Sequence, residues 1–269
     1  MSIDYARILS ELEAIVREAA ALTQAHFTRF RDIEIGIKGP GDFVSEADRA
    51  SETLIRERLL AIAPDWSLTG EEFAPVEGTD TQHRWLVDPI DGTTNFINGQ
   101  HYSITIALRR RTETVCGVVY DPVADEMFTG LLGGGAFLNG APMRVSARDD
   151  PALMCIGTGL PTPGLSLHPG AYDRLDAIRA PIGAVRVQGS AALNCAWVAC
   201  GRLTGYFEET GFVDTAAGIL MVEEAGGIVT DWWGRGQETF ARTGALIVGN
   251  PACHDFLLKH LRSLPRKDP

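Results

Sequence analysis

The chain has 269 residues, of which 45% are apolar, and carries a formal net charge of −11 at pH 7. A chain of this size can bury a core for one large domain, and its ordinary charged fraction is not typical of a disordered protein. The acidic balance, without a basic face, argues against a nucleic-acid-binding protein. Carboxylates in excess either keep the protein soluble or surround hard cations, whose charge offsets their repulsion.

The cysteine and hydropathy patterns restrict the expected compartment. The five cysteines are odd in number and include no C-x-x-C pair, which argues against a disulfide framework or a thiolate zinc site. The first residues lack the basic and apolar regions of a secretory signal, and no apolar stretch approaches the ~20 residues of a membrane-spanning helix. We therefore expect a cytoplasmic protein with no membrane partner.

The first predicted elements are two helices. Apolar residues recur at three- and four-residue steps from Tyr5 to Phe27, which predicts a long amphipathic helix. A glycine-rich turn follows at residues 36–41. Ser45 is then a helix start signal with Asp48 in the position of a capping-box partner, and this second helix continues to Pro64.

Strands dominate the middle of the chain, and both types of element occur in the second half. The predicted strands span residues 85–87, 103–108, 115–120, 126–129, 153–157, 184–187, 206–208 and 244–248. The later predicted helices span residues 172–178, 190–200 and 214–225, and a last helix begins at Asn250 as N-cap. This mixture predicts an α/β or α+β class with layered sheets and helices.

The sequence WLVDPIDGTTNF at residues 85–96 is the most informative stretch for chemistry. Asp88 ends an apolar strand whose pairing Pro89 is expected to stop, and Asp91 follows in the same loop. The backbone N–H groups of Gly92 and Thr93 can face an anion there. Hard cations such as Mg²⁺ prefer oxygen ligands of this kind. The alternative is that both aspartates only cap a turn, as aspartates commonly do.

Two further acidic positions are candidates for the same site. Glu71 and Glu72 are adjacent carboxylates that repel each other, and simple exposure is the alternative explanation for both. Asp214 begins the apolar helix at residues 214–225, where it could act as an N-cap, a metal ligand or both.

The sequence motifs of several phosphatase chemistries are absent from this chain. No cysteine is followed six residues later by arginine, and D-x-D-x-T, a Walker loop, H-E-x-x-H and G-x-S-x-G are all absent. The remaining chemistry for a phosphatase is attack on phosphorus by metal-activated water.

Six motifs in order resemble the inositol monophosphatase family of lithium-sensitive, Mg²⁺-dependent phosphatases. They are GDFVSEAD at residues 41–48, GEE at 70–72, WLVDPIDGTTNF at 85–96, GAFLNG at 135–140, GSAA at 189–192, and DTAAG at 214–218 with EAGG at 224–227. The resemblance implies an α+β fold with α-β-α-β-α layers in a single domain, with sub-halves at residues 1–145 and 146–269. It also implies a homodimer and two or three Mg²⁺ per active site.

The resemblance further implies a role for each matching residue. The implied metal ligands are Glu71, Asp88, the Ile90 carbonyl, Asp91 and Asp214. The implied catalytic residues are Asp48, Thr93 and Glu71, with Gly92 and Thr93 binding phosphate and Lys38 in support. The implied contacts to the organic part of the substrate are Asp91, Ala191, Glu208 and Asp214. Thr93 alone is a poor base, but hydrogen-bonded to the Asp48 carboxylate it can accept a proton from acidified water.

The chain departs from the family pattern beside the expected substrate. Val213 occupies the position of a tryptophan, and the stretch from Glu208 to Asp214 is one residue shorter than expected. These changes leave every implied metal ligand in place and alter the wall that faces the substrate. They therefore bear on substrate identity and on the role of Glu208.

The leading functional hypothesis is hydrolysis of inositol monophosphate or a similar polyol phosphate. Histidinol phosphate, fructose 1,6-bisphosphate and 3′-phosphoadenosine 5′-phosphate are alternative substrates, and Thr94 stands where the histidinol-phosphate type tends to carry lysine. The alternative from another class is a regulatory protein that binds the transcription machinery. The apolar residues between 115 and 137 could supply the dimer surface or belong to the core.

Overall fold

The computed structural model describes residues 3–32, 35–39, 42–160 and 171–262. The helices of this part are α1 Tyr5–Phe27, α2 Glu46–Ile62, α3 Thr93–Ile97, α4 Ala171–Arg179, α5 Ala191–Ala199, α6 Phe212–Glu224, α7 Gln237–Thr243 and α8 Pro251–Leu261. The strands are β1 Ile35–Gly39, β2 Asp42–Ser45, β3 Trp66–Gly70, β4 Asp80–Asp91, β5 Ser103–Arg110, β6 Glu113–Asp121, β7 Glu126–Leu131, β8 Gly135–Leu138, β9 Ala141–Pro142, β10 Cys155–Thr158, β11 Ala184–Val187, β12 Gly205–Glu209, β13 Ile228–Thr230 and β14 Ala245–Gly249.

Helix α1 forms where the sequence predicts it. Asp4 is its N-cap, and the side chain accepts the N–H of Arg7 at 3.1 Å. The apolar stripe that includes Leu12, Val16 and Ala19 is fully buried. Each large aliphatic side chain buried in this way contributes about 1.5–3 kcal/mol, so burial of one face fixes the helix on the sheet.

The strands form two large sheets and one hairpin. The first sheet has the order β3-β4-β5-β6-β7-β8-β9 and is antiparallel except for the parallel pair β3 and β4. The second has the order β11-β10-β12-β14-β13, in which β10 pairs in parallel with β11 and β12. Strands β1 and β2 pair with each other as an antiparallel hairpin. The chain passes from the first large sheet to the second between Pro142 and Cys155.

Helices and sheets stack in five layers. Helices α1 and α2 pack on one face of the seven-stranded sheet, and α6 packs on its other face. Helix α5 packs beside α6 and against β12 of the five-stranded sheet, whose outer face carries α8 and α4. Three buried apolar clusters fill the spaces between these layers. The predicted α+β class with α-β-α-β-α layers is therefore confirmed, whereas the division into sub-halves near residue 145 stays a prediction.

Two element boundaries differ from the sequence-based predictions. The strand predicted at residues 85–87 extends over Asp80–Asp91, and its pairing with β5 is interrupted at Pro89 as predicted. The helix predicted to begin at Asp214 begins at Phe212, because Gly211 is the N-cap. Asp214 is therefore the third helical residue and is not the N-cap.

The apolar residues between 115 and 137 belong mainly to the core. Strands β6 and β7 lie inside the seven-stranded sheet, with α1 on one face and α6 on the other. Val118, Val119 and Phe128 are fully buried as a result. No helix in the described ranges is both long enough and apolar enough to cross a membrane.

Candidate active site

Asp88 and Asp91 lie at the carboxyl end of β4, where its pairing with β5 is interrupted. Pro89 has no N–H to donate to the neighbouring strand, which accounts for the interruption. The carboxylate of Asp88 accepts the N–H of Ile90 at 3.0 Å, and the hydroxyl of Ser51 on α2 donates to the Pro89 carbonyl at 3.4 Å. The two aspartates are only 2% and 8% exposed. This turn thus holds two buried carboxylates close to one edge of the sheet.

Asp91 is bound to the N-terminus of helix α5. Its carboxylate accepts the hydroxyl of Ser103 at 3.2 Å, the hydroxyl of Ser190, and the N–H groups of Ala191 at 3.2 Å and Ala192 at 2.8 Å. Burial raises the pKa of Asp91, and these hydrogen bonds oppose the rise. A carboxylate with this many donors is fixed in orientation.

Asp88 belongs to a group of interacting acidic side chains. Burial, and next the charges of Glu71, Asp214 and Asp91, raise the pKa of Asp88 well above its ordinary value, and a hydrogen bond shared with Glu71 acts in the same direction. Burial and the charges of Asp91 and Glu71 raise the pKa of Asp214 to about 7, although the N–H of Gly211 opposes the shift. A multivalent cation would stabilise such a cluster of like charge.

The donor atoms of this cluster fit Mg²⁺ in chemical type. They are hard oxygen atoms, namely the carboxylates of Glu71, Asp88, Asp91 and Asp214 and the Ile90 carbonyl, and Mg²⁺ prefers such ligands. Within the described ranges, no three His, Cys, Asp or Glu side chains lie as close together as ligands around a bound metal ion.

Thr93 lies between the carboxylate of Asp48 and the carboxylate turn. Its hydroxyl oxygen is 3.2 Å from Asp48 Oδ1 and 3.2 Å from the Ile90 carbonyl oxygen. Asp48 is in the first turn of α2 and accepts the N–H of Ser45 at 2.8 Å, as the predicted capping box requires. It also accepts the hydroxyl of Ser45 at 2.5 Å. Burial raises the pKa of Asp48 to about 6, against the effect of the Ser45 hydrogen bonds.

The turn after Asp91 is attached to the turn before α5. Gly92 has φ 92°, a left-handed conformation that favours glycine, and a Cβ there would lie 2.8 Å from the Gly189 carbonyl oxygen. Asn95 Nδ2 donates to the His101 carbonyl at 2.8 Å and to the Gln188 carbonyl at 2.7 Å. Two chain segments far apart in sequence therefore form one wall of the site.

Of the predicted substrate-binding residues, Ala191 is the first residue of α5, directly after this turn, and Glu208 lies on β12. Ala191 is 8% exposed, and its N–H donates to Asp91. The carboxylate of Glu208 accepts the hydroxyl of Tyr206 at 2.6 Å and packs against Gly159, where a side chain would overlap it. Burial raises the pKa of Glu208 to about 7, and the charge of Asp91 adds to the rise while the Tyr206 hydrogen bond opposes it.

Phe212 and Val213, in the shortened stretch between Glu208 and Asp214, make aromatic and aliphatic packing contacts. Val213, in the place of the expected tryptophan, is partly buried against the core that contains α5 and α6. Phe212 packs on Phe240 with ring centroids 5.8 Å apart, and the guanidinium of Arg109 lies 4.6 Å from the Phe212 ring centroid. Phe212 and Val213 are therefore both partly buried against this core.

The contacts that orient the predicted site were only partly visible in the sequence. Lys38 belongs to β1, but its side chain lies outside the described residues. Ser103, Ser190 and Asn95 were not assigned roles, although the GSAA motif contains Ser190 as the N-cap of α5. An N-cap serine before an Ala-rich helix was the available signal for an occupied helix N-terminus.

The family model of the inositol monophosphatase family matches residues 4–266. The chain belongs to this family. An inositol-1-monophosphatase of Rhizobium meliloti (strain 1021) is 41% identical over 241 residues, which cover 89% of this chain and 90% of that protein. A Nus factor SuhB of Pasteurella multocida (strain Pm70) is 37% identical over 237 residues, which cover 87% and 88%. The crystal structure of extragenic suppressor protein suhB from Bartonella henselae superposes with a TM-score of 0.91 at 37% identity, covering 96% of this chain and 99% of that chain.

These similarities confirm the resemblance that the six motifs indicated, and they agree with the five-layer fold. Relatives named for inositol monophosphatase activity also support a phosphatase. The names of the relatives differ, however, since some are called inositol-1-monophosphatase and others Nus factor SuhB. Membership of the family therefore does not by itself identify the substrate.

Proposed function

We propose that this protein is a Mg²⁺-dependent phosphomonoesterase that hydrolyses inositol monophosphate or a similar polyol phosphate. The observation that carries the proposal is the hydrogen bond from Thr93 to the buried Asp48 carboxylate, directly beside the turn that bears Asp88 and Asp91. A proton acceptor thus lies next to a group of hard oxygen ligands. Relatives named inositol-1-monophosphatase support the substrate class.

Thr93 and Asp48 transfer a proton in this proposal. A hydroxyl group has one hydrogen and two lone pairs, so a Thr93 hydroxyl that donates to Asp48 can still accept from water. As that water loses its proton to Thr93, the Thr93 proton passes to Asp48. A pKa of about 6 leaves Asp48 ionised at neutral pH and still basic enough to accept this proton.

Glu71, Asp88, the Ile90 carbonyl, Asp91 and Asp214 would hold two or three Mg²⁺ in this proposal. Bound Mg²⁺ would neutralise charge on the phosphate oxygens, acidify the attacking water and stabilise the leaving alkoxide. The chain's own contribution is to hold Asp88, Asp91 and Asp214 in largely buried surroundings, where each carboxylate interacts strongly with charge. The pKa values of Asp88 and Asp214, raised by burial and by neighbouring carboxylates, support a site that receives positive charge.

The rest of the substrate would lie along the wall next to α5. Backbone N–H groups of Gly92 and Thr93 would donate to the phosphate, which suits the left-handed turn at Gly92. Ala191 and Glu208, together with Asp91 and Asp214, would contact the hydroxyl groups of a polyol. A carboxylate that accepts one hydrogen bond from Tyr206 retains lone pairs for substrate hydroxyls.

The direct test is phosphate release from a panel of substrates. Inositol 1-phosphate, histidinol phosphate, fructose 1,6-bisphosphate and 3′-phosphoadenosine 5′-phosphate are each incubated with Mg²⁺ and with EDTA. We expect metal-dependent release that is fastest for inositol 1-phosphate. Preferred turnover of another compound would replace the substrate, and release that persists in EDTA would overturn the metal requirement.

Three further properties belong to the proposal. Millimolar Li⁺ should inhibit turnover, because Li⁺ competes for a Mg²⁺ site of the family type. The protein should be a homodimer, which light scattering of the purified chain measures. It should also be located in the cytoplasm, which fractionation of cells that express the chain measures.

A second candidate function is regulation of transcription. The observation in its favour is the 37% identity to a protein named Nus factor SuhB. RNA polymerase captured on the immobilised chain would support this function if capture persists with the Asp88→Asn variant. Loss of capture in that variant, or no capture by the wild type, would leave the phosphatase as the proposed function.

A further inference from the structure

Glu52 is a fully buried carboxylate on α2 to which the proposed reaction assigns no role. Its side chain accepts the N–H of Glu72 at 2.7 Å. The same carboxylate packs flush against Gly70, where a Cβ would overlap it. Glu52 therefore contacts the residues on both sides of Glu71, the one proposed metal ligand that is exposed.

Arg56, one helical turn further along α2, completes the contact with this turn. Its guanidinium donates to Glu52 at 2.9 Å and to the Ala74 carbonyl at 2.8 Å. It also lies 5.7 Å from the ring centroid of Phe73. The pair thus contacts residues 70, 72, 73 and 74, and we call these two side chains the Glu52–Arg56 clamp.

Burying the ion pair of Glu52 and Arg56 costs free energy, which other contacts must offset. A buried carboxylate is costly unless its charge is paired and its lone pairs are used, and hydrophobic replacements of such pairs are often at least as stable. Here the carboxylate uses its lone pairs on Arg56 and on the Glu72 N–H, both of which fix the turn. The arrangement also neutralises the Glu52 charge, so the clamp adds no net negative charge near the acidic cluster.

We propose that the Glu52–Arg56 clamp is a positioning device that holds Glu71 in its ligand conformation and so sets the affinity of the site for Mg²⁺. This inference rests on the proposed function, because it assigns Glu71 to a metal ion. Helix α2 then has two functions at the site. Its first turn presents Asp48 to Thr93, and the clamp one turn later orders the segment that carries Glu71.

The expected change in Mg²⁺ affinity depends on the fraction of molecules in which the turn at residues 70–74 is ordered. Apparent affinity falls in proportion to the fraction of protein that is competent to bind. If the turn is ordered in only a tenth of the molecules without the clamp, the apparent dissociation constant for Mg²⁺ rises about tenfold. Once Mg²⁺ is saturating, the turn is ordered by the metal itself, and kcat returns close to the wild-type value.

Arg56→Ala is the main test, with Arg58→Ala as its matched control. Arg58 lies on the same helix but pairs with Glu18 at the surface, where both side chains are about half exposed. Mg²⁺ binding is measured by calorimetry on the full chain without substrate, and hydrogen exchange is measured at residues 70–74. We expect Arg56→Ala to weaken Mg²⁺ binding about tenfold and to speed exchange in the turn, with both quantities unchanged in Arg58→Ala.

Two more variants separate positioning from general destabilisation. Arg56→Lys can keep one hydrogen bond but not the fork that reaches both Glu52 and Ala74, so it should restore part of the affinity. Glu52→Gln keeps an acceptor for Glu72 and loses the charge of the pair, so it should weaken binding less than Arg56→Ala. Both should retain kcat at saturating Mg²⁺ within about twofold if the effect lies in ligand ordering.

The outcomes distinguish this inference from the proposed function. Wild-type protein that binds no Mg²⁺ by calorimetry would overturn the proposed metal site itself. Wild-type binding with unchanged affinity and exchange in Arg56→Ala would overturn the clamp and leave the metal site standing. A fall in kcat at saturating Mg²⁺ with unaltered Mg²⁺ affinity would also contradict the clamp.

Discussion

Asp91 and Glu71, two proposed ligands of the same metal site, have opposite surroundings. Asp91 is buried and accepts hydrogen bonds from two serine hydroxyls and two N–H groups at the start of α5. Glu71 is exposed on a turn whose neighbouring residues contact α2. The Asp91 carboxylate is therefore held by four hydrogen bonds, whereas the position of Glu71 depends on the Glu52–Arg56 clamp that we propose.

The proposed site therefore has two halves. We call the hydrogen-bonded wall around Asp91 the permanent half, and the turn that carries Glu71 the adjustable half. The permanent half belongs to the seven-stranded sheet and to a helix that begins nearly a hundred residues later. The adjustable half is a short turn after β3 that α2 orders. Changes in the permanent half should reduce turnover or stability, while changes around the turn should mainly alter metal affinity.

Asp88→Asn should have the largest effect of the changes considered, because Asp88 lies between the two halves and shares a hydrogen bond with Glu71. Loss of this carboxylate removes charge stabilisation of several kcal/mol, so kcat/KM should fall about a thousandfold or more. Without Mg²⁺ the variant should resist urea better than the wild type, because one charge less is buried in the cluster.

The control for this change is Asp255→Asn, since the Asp255 side chain is 84% exposed. It should leave both turnover and urea resistance close to the wild-type values. Turnover by Asp88→Asn near the wild-type rate would show that Asp88 holds no essential metal. Lower urea resistance without Mg²⁺ would contradict the repulsive cluster.

Thr93→Ala tests the proton path at the junction of α2 and the carboxylate turn. Removal of the hydroxyl should lower kcat about a hundredfold, in line with the loss of general-base assistance. Mg²⁺ affinity, measured by calorimetry, should remain within about twofold, because Thr93 is not a proposed ligand. Thr93→Ser should recover most of the rate, and Thr94→Ala, at an exposed neighbour, should have none of these effects. An unchanged kcat in Thr93→Ala would remove Thr93 from the reaction.

Asn95→Ala loosens the permanent half without removing a proposed ligand. The His101 and Gln188 carbonyls would lose their side-chain donor, and each of these partly buried hydrogen bonds contributes about 0.5–1.5 kcal/mol. Urea unfolding should report a loss of about 1–3 kcal/mol for the two bonds, accompanied by an approximately tenfold fall in kcat because the Asp91 wall shifts. The control is Asn98→Ala, which removes one bond to the Thr94 carbonyl at an exposed helix end. Equal losses in both variants would contradict a special role for Asn95.

Local signals in the sequence predicted much of this fold and part of the site. The periodicity of α1 and the capping box of Ser45 and Asp48 involve residues a few positions apart, and the structure contains both. The metal and catalytic roles of the motif residues stay predictions. The start of α6 was misjudged because Asp214 is a common N-cap type, whereas Gly211 holds that position.

The contacts that distinguish the two halves of the site could not be predicted in this way. Ser190 donates to Asp91 across 99 positions of sequence, and Asn95 donates to the Gln188 carbonyl across 93. Such pairs depend on how the two sheets stack, and no local period or motif spacing encodes that arrangement. Strand β3, which pairs in parallel with β4, was also not predicted.

Glu208, like Asp91, is a carboxylate in the interior of the protein, but it accepts fewer hydrogen bonds than Asp91. The variant Glu208→Gln tests what this difference does to stability. Tyr206 donates one hydrogen bond to Glu208, and burial raises the pKa of Glu208 from 4.5 to about 7. A raised pKa in the folded state means that ionisation opposes folding. The stability contributed by the neutral form is therefore complete below pH 4.5 and is lost as pH rises through 7.

Glutamine stays neutral and still accepts from Tyr206, so the variant should gain about 2 kcal/mol over the wild type between pH 5 and pH 8. Urea unfolding in EDTA measures this difference, and Glu209→Gln, at the exposed next residue, should follow the wild-type pH dependence. If Glu208→Gln instead loses stability with pH as steeply as the wild type, Glu208 is not the group that titrates, and its surroundings are as well compensated as those of Asp91.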